Sequence, residues 1–219
     1  AMKCIKLIVL LAALVAAPFA LAEGNPEAGK EKSQPCAACH GPDGNSPSGM
    51  YPSLAGQGQK YLLEQLKAFK SGARENAIMA GQVANLSDQD MQDLAAYFAE
   101  QTITTGQASA DWVDQGERLY RGGDVEAGIP ACSGCHGPAG EGIDAAGFPA
   151  LAGQHPDYVE AQLKAFRAAG SEAIGDMAKR ANDPQAMMRT IAAKMSDAQI
   201  KAVASFVSGL SANEGGAEE

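Results

Sequence analysis

Apolar positions recur at three- and four-residue spacing through most of the chain, and the pattern occurs twice. Tyr61, Leu62, Leu66 and Phe69 form one stripe, answered by Tyr158, Leu163 and Phe166. Met91, Leu94, Ala95 and Phe98 form another, answered by Ile200, Val203, Ala204 and Val207. Ser87 and Ser196 stand just ahead of the second pair, each followed by acidic or amide residues, and read as N-caps. Two short helices are expected earlier, around Pro26–Lys32 and Trp112–Tyr120, where Gly29 and Gly116 would let another helix approach closely. No segment alternates as a strand does. The pattern predicts an all-α fold.

The duplication extends to the letters. Tyr51-Pro-Ser-Leu-Ala-Gly-Gln57 recurs as Phe148-Pro-Ala-Leu-Ala-Gly-Gln154, 97 residues on, and Gln65-Leu-Lys-Ala-Phe69 as Gln162-Leu-Lys-Ala-Phe166. Leu86-Ser-Asp88 answers Met195-Ser-Asp197 at an offset of 109, so the second copy has 12 extra residues between Phe166 and Met195. The chain is thus read as two tandem domains, 23–101 and 111–211, with a small, polar linker over 102–110 and a flexible tail over 212–219. Residues 1–22 read as a cleavable export signal: Lys3 and Lys6, an apolar run from Leu7 to Phe19, then Ala20-Leu21-Ala22. Cys4 would leave with it, and the expected location is the periplasm.

Charge narrows the partners. The formal net charge is −9, and −11 without Lys3 and Lys6, which excludes nucleic acid. Residues 111–219 hold nine Lys/Arg against sixteen Asp/Glu, and 23–110 six against ten. Such a field favours a partner with a basic docking face.

The chemistry lies in Cys36-Ala-Ala-Cys39-His40 and its repeat Cys132-Ser-Gly-Cys135-His136, 96 residues apart. Cys-X-X-Cys-His is the attachment motif of a c-type haem: two thiols one helical turn apart bond the vinyl groups of one porphyrin edge, and the adjacent His ligates the iron. Two motifs imply two covalently attached haem c groups. A zinc site built from two Cys-X-X-Cys pairs and a pair of thioredoxin-like motifs are the alternatives, and neither explains a His after the second Cys in both copies. Once the leader is removed, every cysteine lies in these motifs and none is left for a disulfide.

A haem-motif helix, a Pro-containing loop, further helices and a Met before the last helix resemble a class I cytochrome c module. Two in tandem, with strings such as Tyr51–Gln57 and Met188-Arg-Thr-Ile-Ala-Ala-Lys194, resemble the di-haem cytochrome c4 family. The resemblance implies two cytochrome c domains, each wrapped around one haem, with a thioether opposite the histidine. The repeat selects Met79, seven residues before Leu86, and Met188, seven before Met195. Met91 lies on a core stripe, Met195 replaces a leucine, Met50 matches a glycine and Met177 falls in the insertion. Met187, beside Met188, and His155, the one histidine outside the motifs, stay open as substitutes; His155 otherwise reads as an exposed or helix-capping residue. The resemblance also implies that the carbonyls of Pro52 and Pro149 hold the proximal imidazoles. Gly41-Pro42 and Gly137-Pro138 read as tight turns ending the haem helices.

The function implied is a di-haem electron carrier, not an enzyme, in a respiratory chain. The resemblance suggests a quinol-oxidising cytochrome bc complex as donor and a terminal haem-copper oxidase as acceptor. Peripheral association with a membrane is left open by the sequence. One rival is the di-haem relay subunit of a flavocytochrome c sulfide dehydrogenase, which a copurifying flavoprotein would reveal. Another is a stand-alone peroxidase or thiosulfate dehydrogenase, which needs an open or Cys-ligated iron.

Overall fold

A computed structural model describes residues 24–170 and 179–212. The expected leader with Cys4, Met177, most of the 12-residue insertion and the tail from 213 onward lie outside the described residues. Helices dominate: α1 Pro26–Lys32, α2 Gln34–His40, α3 Gln59–Ser71, α4 Ala77–Val83 and α5 Asp88–Ala99, then α6 Val113–Gly122, α7 Ser133–His136, α8 Pro156–Gly170, α9 Met187–Ala192 and α10 Asp197–Ser208. Only two isolated bridges, Asp124 with Ile129 and Ile143 with Phe148, have β pairing among the described residues.

Local chemistry sets the helix ends. Asn25 caps α1, its side chain accepting from the Glu27 and Ala28 N–H groups, with Pro26 at the first helical position. Ser87 and Ser196 form reciprocal capping boxes with Asp90 and Gln199. Gly72, at φ 79°, terminates α3. The first helix of the second module starts one residue later than its apolar pattern suggests and runs two residues further. Trp112, at φ −120°, lies outside helical geometry, and Gly123, at φ 71°, stops the helix.

In each module the first helix crosses the last at a glycine. A Cβ on Gly29 would meet Asp93 backbone and come within 2.8 Å of Tyr97 Cβ; one on Gly116 would meet Ala202 backbone and come within 2.6 Å of Phe206 Cβ. Beside the first crossing, the buried Asp93 carboxylate accepts from Asn25 N (2.9 Å), Lys32 Nζ (2.9 Å) and Gln89 Nε2 (2.8 Å). The Asn25 N–H is the main cause holding this acid down at about 2, with Lys32 and Gln89 assisting against the cost of burial.

The copies differ in their approach to the haem motif. Gly29 and Gly116 are 87 residues apart, but Cys36 and Cys132 are 96 apart, so the second module has nine additional residues here. They form a loop closed by two Asp124–Ile129 backbone hydrogen bonds of 2.8 Å, and Ile129 enters the core at 2% exposure. The motif helix that follows, α7, is one turn of 4 residues where α2 has 7. A tyrosine anchors the following turn in both modules but comes from different helices. Tyr97 Oη on α5 donates to Pro42 O (3.1 Å), and Tyr120 Oη on α6 donates to Gly137 O (2.6 Å).

The modules share an extensive polar interface. Gln154 Oε1 accepts from Ser53 N (2.9 Å) and its Nε2 donates to Ser53 O (2.8 Å). Reciprocally, Gln57 Oε1 accepts from Ala150 N (2.8 Å) and Nε2 donates to Ala150 O (2.9 Å). Arg74 packs over Phe69 and donates to Tyr158 and Gln162; Arg180 packs over Phe166 and donates to Tyr61 and Gln65. The linker is tied down at both ends, Thr104 N donating to Asn45 and Ser109 N to Ser205.

Candidate haem sites

Each site begins at the motif helix. In α2, Pro35 occupies an early position where its missing N–H costs nothing, and Gly41 closes the helix at φ 80°. Gly137, at φ 81°, closes α7 in the same way. Cys36 packs against the core of the first module and Cys132 against that of the second, whereas Cys39 is half-buried and Cys135 exposed. Each thiol pair thus straddles the edge of its core. None of the four is in a disulfide. Burial pushes the Cys36 thiol up and the Cys132 thiol up to about 11.

Both motif histidines are buried and fixed at one nitrogen. His40 Nδ1 lies 2.8 Å from Pro52 O, and His136 Nδ1 lies 2.9 Å from Pro149 O. The carbonyl can only accept, so Nδ1 carries the proton in each ring and Nε2 presents its lone pair. Burial lowers both histidines from their ordinary value, and the Pro carbonyls partly oppose it. Neither Nε2 has a hydrogen-bond partner among the described residues, and neither is a buried unpaired atom. A neutral imidazole with Nδ1 held on a carbonyl and Nε2 left free to bind is suited to ligating an iron.

Three further observations fit two haems. The first module buries only Leu62, Leu94, Ala95, Tyr97 and Phe98 in its main cluster, a small core that a porphyrin would enlarge. Arg74 and Arg180 form no ion pair with a carboxylate among the described residues, which suits the propionates of haem. The two motif His/Cys sets stay within separate modules, and no group of three His, Cys, Asp or Glu suited to a metal ion occurs among the described residues.

Met79 lies on α4, its N–H held by Asn76 Oδ1 at 2.9 Å, and Met188 lies on α9; both side chains are half-buried. Gln185 and Ala186, immediately before α9, have φ of 52° and 58°, the only positive values at non-glycine residues among those described. Met91 and Met195 are core, at 1% and 5% exposure, and Met50 is exposed. His155 faces neither motif: its Nε2 lies 2.8 Å from Ser46 O, across the interface. It is half-buried: its backbone stands at the N-cap position of α8, with Val159 N donating to His155 O (3.0 Å), while its ring is an interface contact. Gln57 and Gln154 carried no assignment in the sequence. Their signal was an amide repeated at the end of each matched string, but a repeat cannot show that each side chain reaches into the opposite module.

A cytochrome c family model matches residues 26–102 and 113–211. Cytochrome c4 of Pseudomonas aeruginosa is 47% identical over 204 residues, covering 93% of this chain and 98% of the relative. A thiosulfate dehydrogenase electron acceptor of Thiomonas intermedia is 42% identical over 200 residues, covering 88% and 83%. Among solved structures, reduced recombinant cytochrome c4 from Pseudomonas stutzeri superposes with a TM-score of 0.77 at 45% identity, covering 85% of this chain and 99% of that one. Two haem motifs on matched modules, each with its motif histidine fixed, together with these relatives, establish that the chain belongs to the cytochrome c4 family of di-haem electron-transfer cytochromes, with two covalently attached haem c groups.

Proposed function

We propose that the protein is an exported, periplasmic electron carrier that passes electrons toward a terminal haem-copper oxidase and has no substrate chemistry of its own. The observation that carries this reading is the duplicated histidine clamp, His40 on Pro52 and His136 on Pro149, within modules locked together by a buried interface. Two rigid sites held at fixed separation suit electron transfer, where little should move as charge changes. Haem supplies the redox centre when bound. Cys36, Cys39, Cys132 and Cys135 anchor it, His40 and His136 provide one axial nitrogen each, and Pro52 and Pro149 set ring orientation and basicity. Met79 and Met188 would supply the thioether ligands. Their matched positions on α4 and α9 support this, as does the strained turn at Gln185 and Ala186 ahead of Met188. Thioether ligation at both irons would leave no open position for peroxide or thiosulfate.

The donor on this reading is a quinol-oxidising cytochrome bc complex, and the acidic surface favours a basic docking face. No described helix is long and apolar enough to cross a membrane. The relative named as a thiosulfate dehydrogenase electron acceptor favours a second reading, with electrons arriving from a dehydrogenase of sulfur compounds. Purification from the native host under mild salt separates the two. Capture of oxidase or bc-complex subunits, with rapid oxidation of the reduced protein by that oxidase, is the expected result. Capture of a sulfur-compound dehydrogenase that reduces the protein faster than the bc complex does would replace it.

A further inference from the structure

We infer that Gln57 and Gln154 are positioning residues that set the reduction potential of the haem in the opposite module, each through a single peptide group. The amide joining Pro52 to Ser53 has two ends. Its carbonyl oxygen is the Pro52 O that His40 Nδ1 approaches at 2.8 Å. Its N–H belongs to Ser53 and donates to Gln154 Oε1 at 2.9 Å. The amide joining Pro149 to Ala150 repeats this, with His136 Nδ1 at 2.9 Å on the carbonyl side and Gln57 Oε1 at 2.8 Å on the N–H side.

An amide whose N–H donates to a strong acceptor has more negative charge on its oxygen, and linked hydrogen bonds strengthen one another by about 10–30% per bond. A stronger acceptor at Nδ1 makes the imidazole more electron-rich, and that favours the ferric iron. The reaction tuned is Fe(III) plus one electron to Fe(II); no bond changes and the proton stays on Nδ1. Gln154 therefore lowers the potential of the first haem, and Gln57 that of the second. The setting supports a sizeable effect: Ser53, Gln57 and Gln154 are 5%, 8% and 7% exposed, so water neither competes for these groups nor screens them. Each glutamine is also locked. Its Nε2 donates to the carbonyl of the same clamped residue, and its Oε1 accepts a second N–H, from Gly58 at 2.9 Å or His155 at 3.0 Å.

The inference rests on His40 and His136 being the proximal ligands, and the test separates the two. In the holoprotein, hyperfine-shifted proton NMR of the ferric state identifies each haem and its ligand Nδ1–H, and spectroelectrochemistry gives each potential. Gln154→Leu removes the acceptor at near-constant volume. The expected result is that the ferrous-to-ferric ratio of the first haem at fixed applied potential rises about threefold, roughly 30 mV at 59 mV per decade. The His40 Nδ1–H resonance should move with it while the second haem keeps its values. Gln57→Leu should do the reverse. His155→Ala removes another cross-module contact that is not on either amide, and should move neither Nδ1–H resonance. Should Gln154→Leu fail to fold, Gln154→Asn keeps an amide but falls short of Ser53 N–H and reads the same quantity. Unchanged potentials in docked modules would overturn the inference. So would equal shifts at both haems in either glutamine variant or in His155→Ala, since those report only a loosened interface. Absence of hyperfine shifts on both histidines in the unaltered protein would instead overturn the ligand assignment.

Discussion

Replacing Gly116 by alanine tests the packing that frames the second haem motif. The new methyl would lie 2.6 Å from Phe206 Cβ and 2.9 Å from the Ala202 carbonyl carbon. Carbon atoms prefer about 3.5–4.0 Å, so α6 must retreat from α10 by about 1 Å. That movement carries Tyr120, which is fully buried and whose Oη holds Gly137 O at 2.6 Å in the turn directly after His136. A bond that short, displaced by 1 Å or more, leaves hydrogen-bonding range. Overpacking costs about 1–3 kcal/mol, and stranding the buried hydroxyl and carbonyl costs about 1–3 kcal/mol more. The sum, about 2–6 kcal/mol, corresponds to a fall in Tm of about 10–30 °C for a module of this size. Gly122, on the same helix, is the control: a Cβ there meets nothing within 4 Å, so Gly122→Ala should raise stability by up to about 1 kcal/mol through helix propensity. Thermal unfolding of the ferric holoprotein, followed by far-UV circular dichroism and by absorbance of the haem, measures both. A Gly116→Ala Tm within about 2 °C of the parent would refute the close-crossing argument.

Met79→Ala and Met188→Ala should each remove about half of the sulfur-to-ferric charge-transfer absorbance and lower one potential, while Met187→Ala leaves both intact; loss of the band in Met187→Ala would reassign the second ligand. Asp93, held at about 2, adds stability that is complete above about pH 4 and is lost as pH falls toward 2, so Asp93→Asn should cost about 2 kcal/mol at pH 7 and almost nothing at pH 2. A cost independent of pH, measured by denaturant titration, would show that the acid's charge is not what matters. The second haem should titrate at the lower potential, because its half holds nine Lys/Arg against sixteen Asp/Glu and negative charge favours the ferric state. A redox titration with the second haem identified through Met188→Ala decides this, and a higher value there would reverse it.

Much of the fold was legible because helices write their packing into spacing. The stripes Met91 to Phe98 and Ile200 to Val207 fixed the last helix of each module, and Ser87 and Ser196 marked its start to the residue. Gly29 and Gly116 showed where first and last helices meet. The haem motifs were equally plain, since covalent attachment demands one order of residues. The nine extra residues before Cys132 were hidden because only two glycines register the first helices, whereas the insertion after Phe166 lies between long matched strings. The interface was hidden for a different reason. Hydrogen bonds from Gln57, Gln154, Arg74 and Arg180 to groups 84 or more residues away follow no period, and in the sequence a polar residue at a seam looks like any surface residue.

That seam has a symmetry the linear sequence conceals. Gln57 acts on Ala150 and Gln154 on Ser53, while Arg74 reaches Tyr158 and Arg180 reaches Tyr61. Residue i touches j′ and i′ touches j, which is the isologous contact of a C2 homodimer. The tandem chain is in effect such a dimer joined end to end. Residues 102–110 replace a concentration-dependent association with one at an effective concentration in the millimolar range, so the paired arrangement survives at any dilution. Joining also frees each half to drift from its twin. The closed loop at Asp124–Ile129 and the exchange of Tyr97 for Tyr120 as the turn anchor are differences that no homodimer, with one gene for both halves, could hold on a single side.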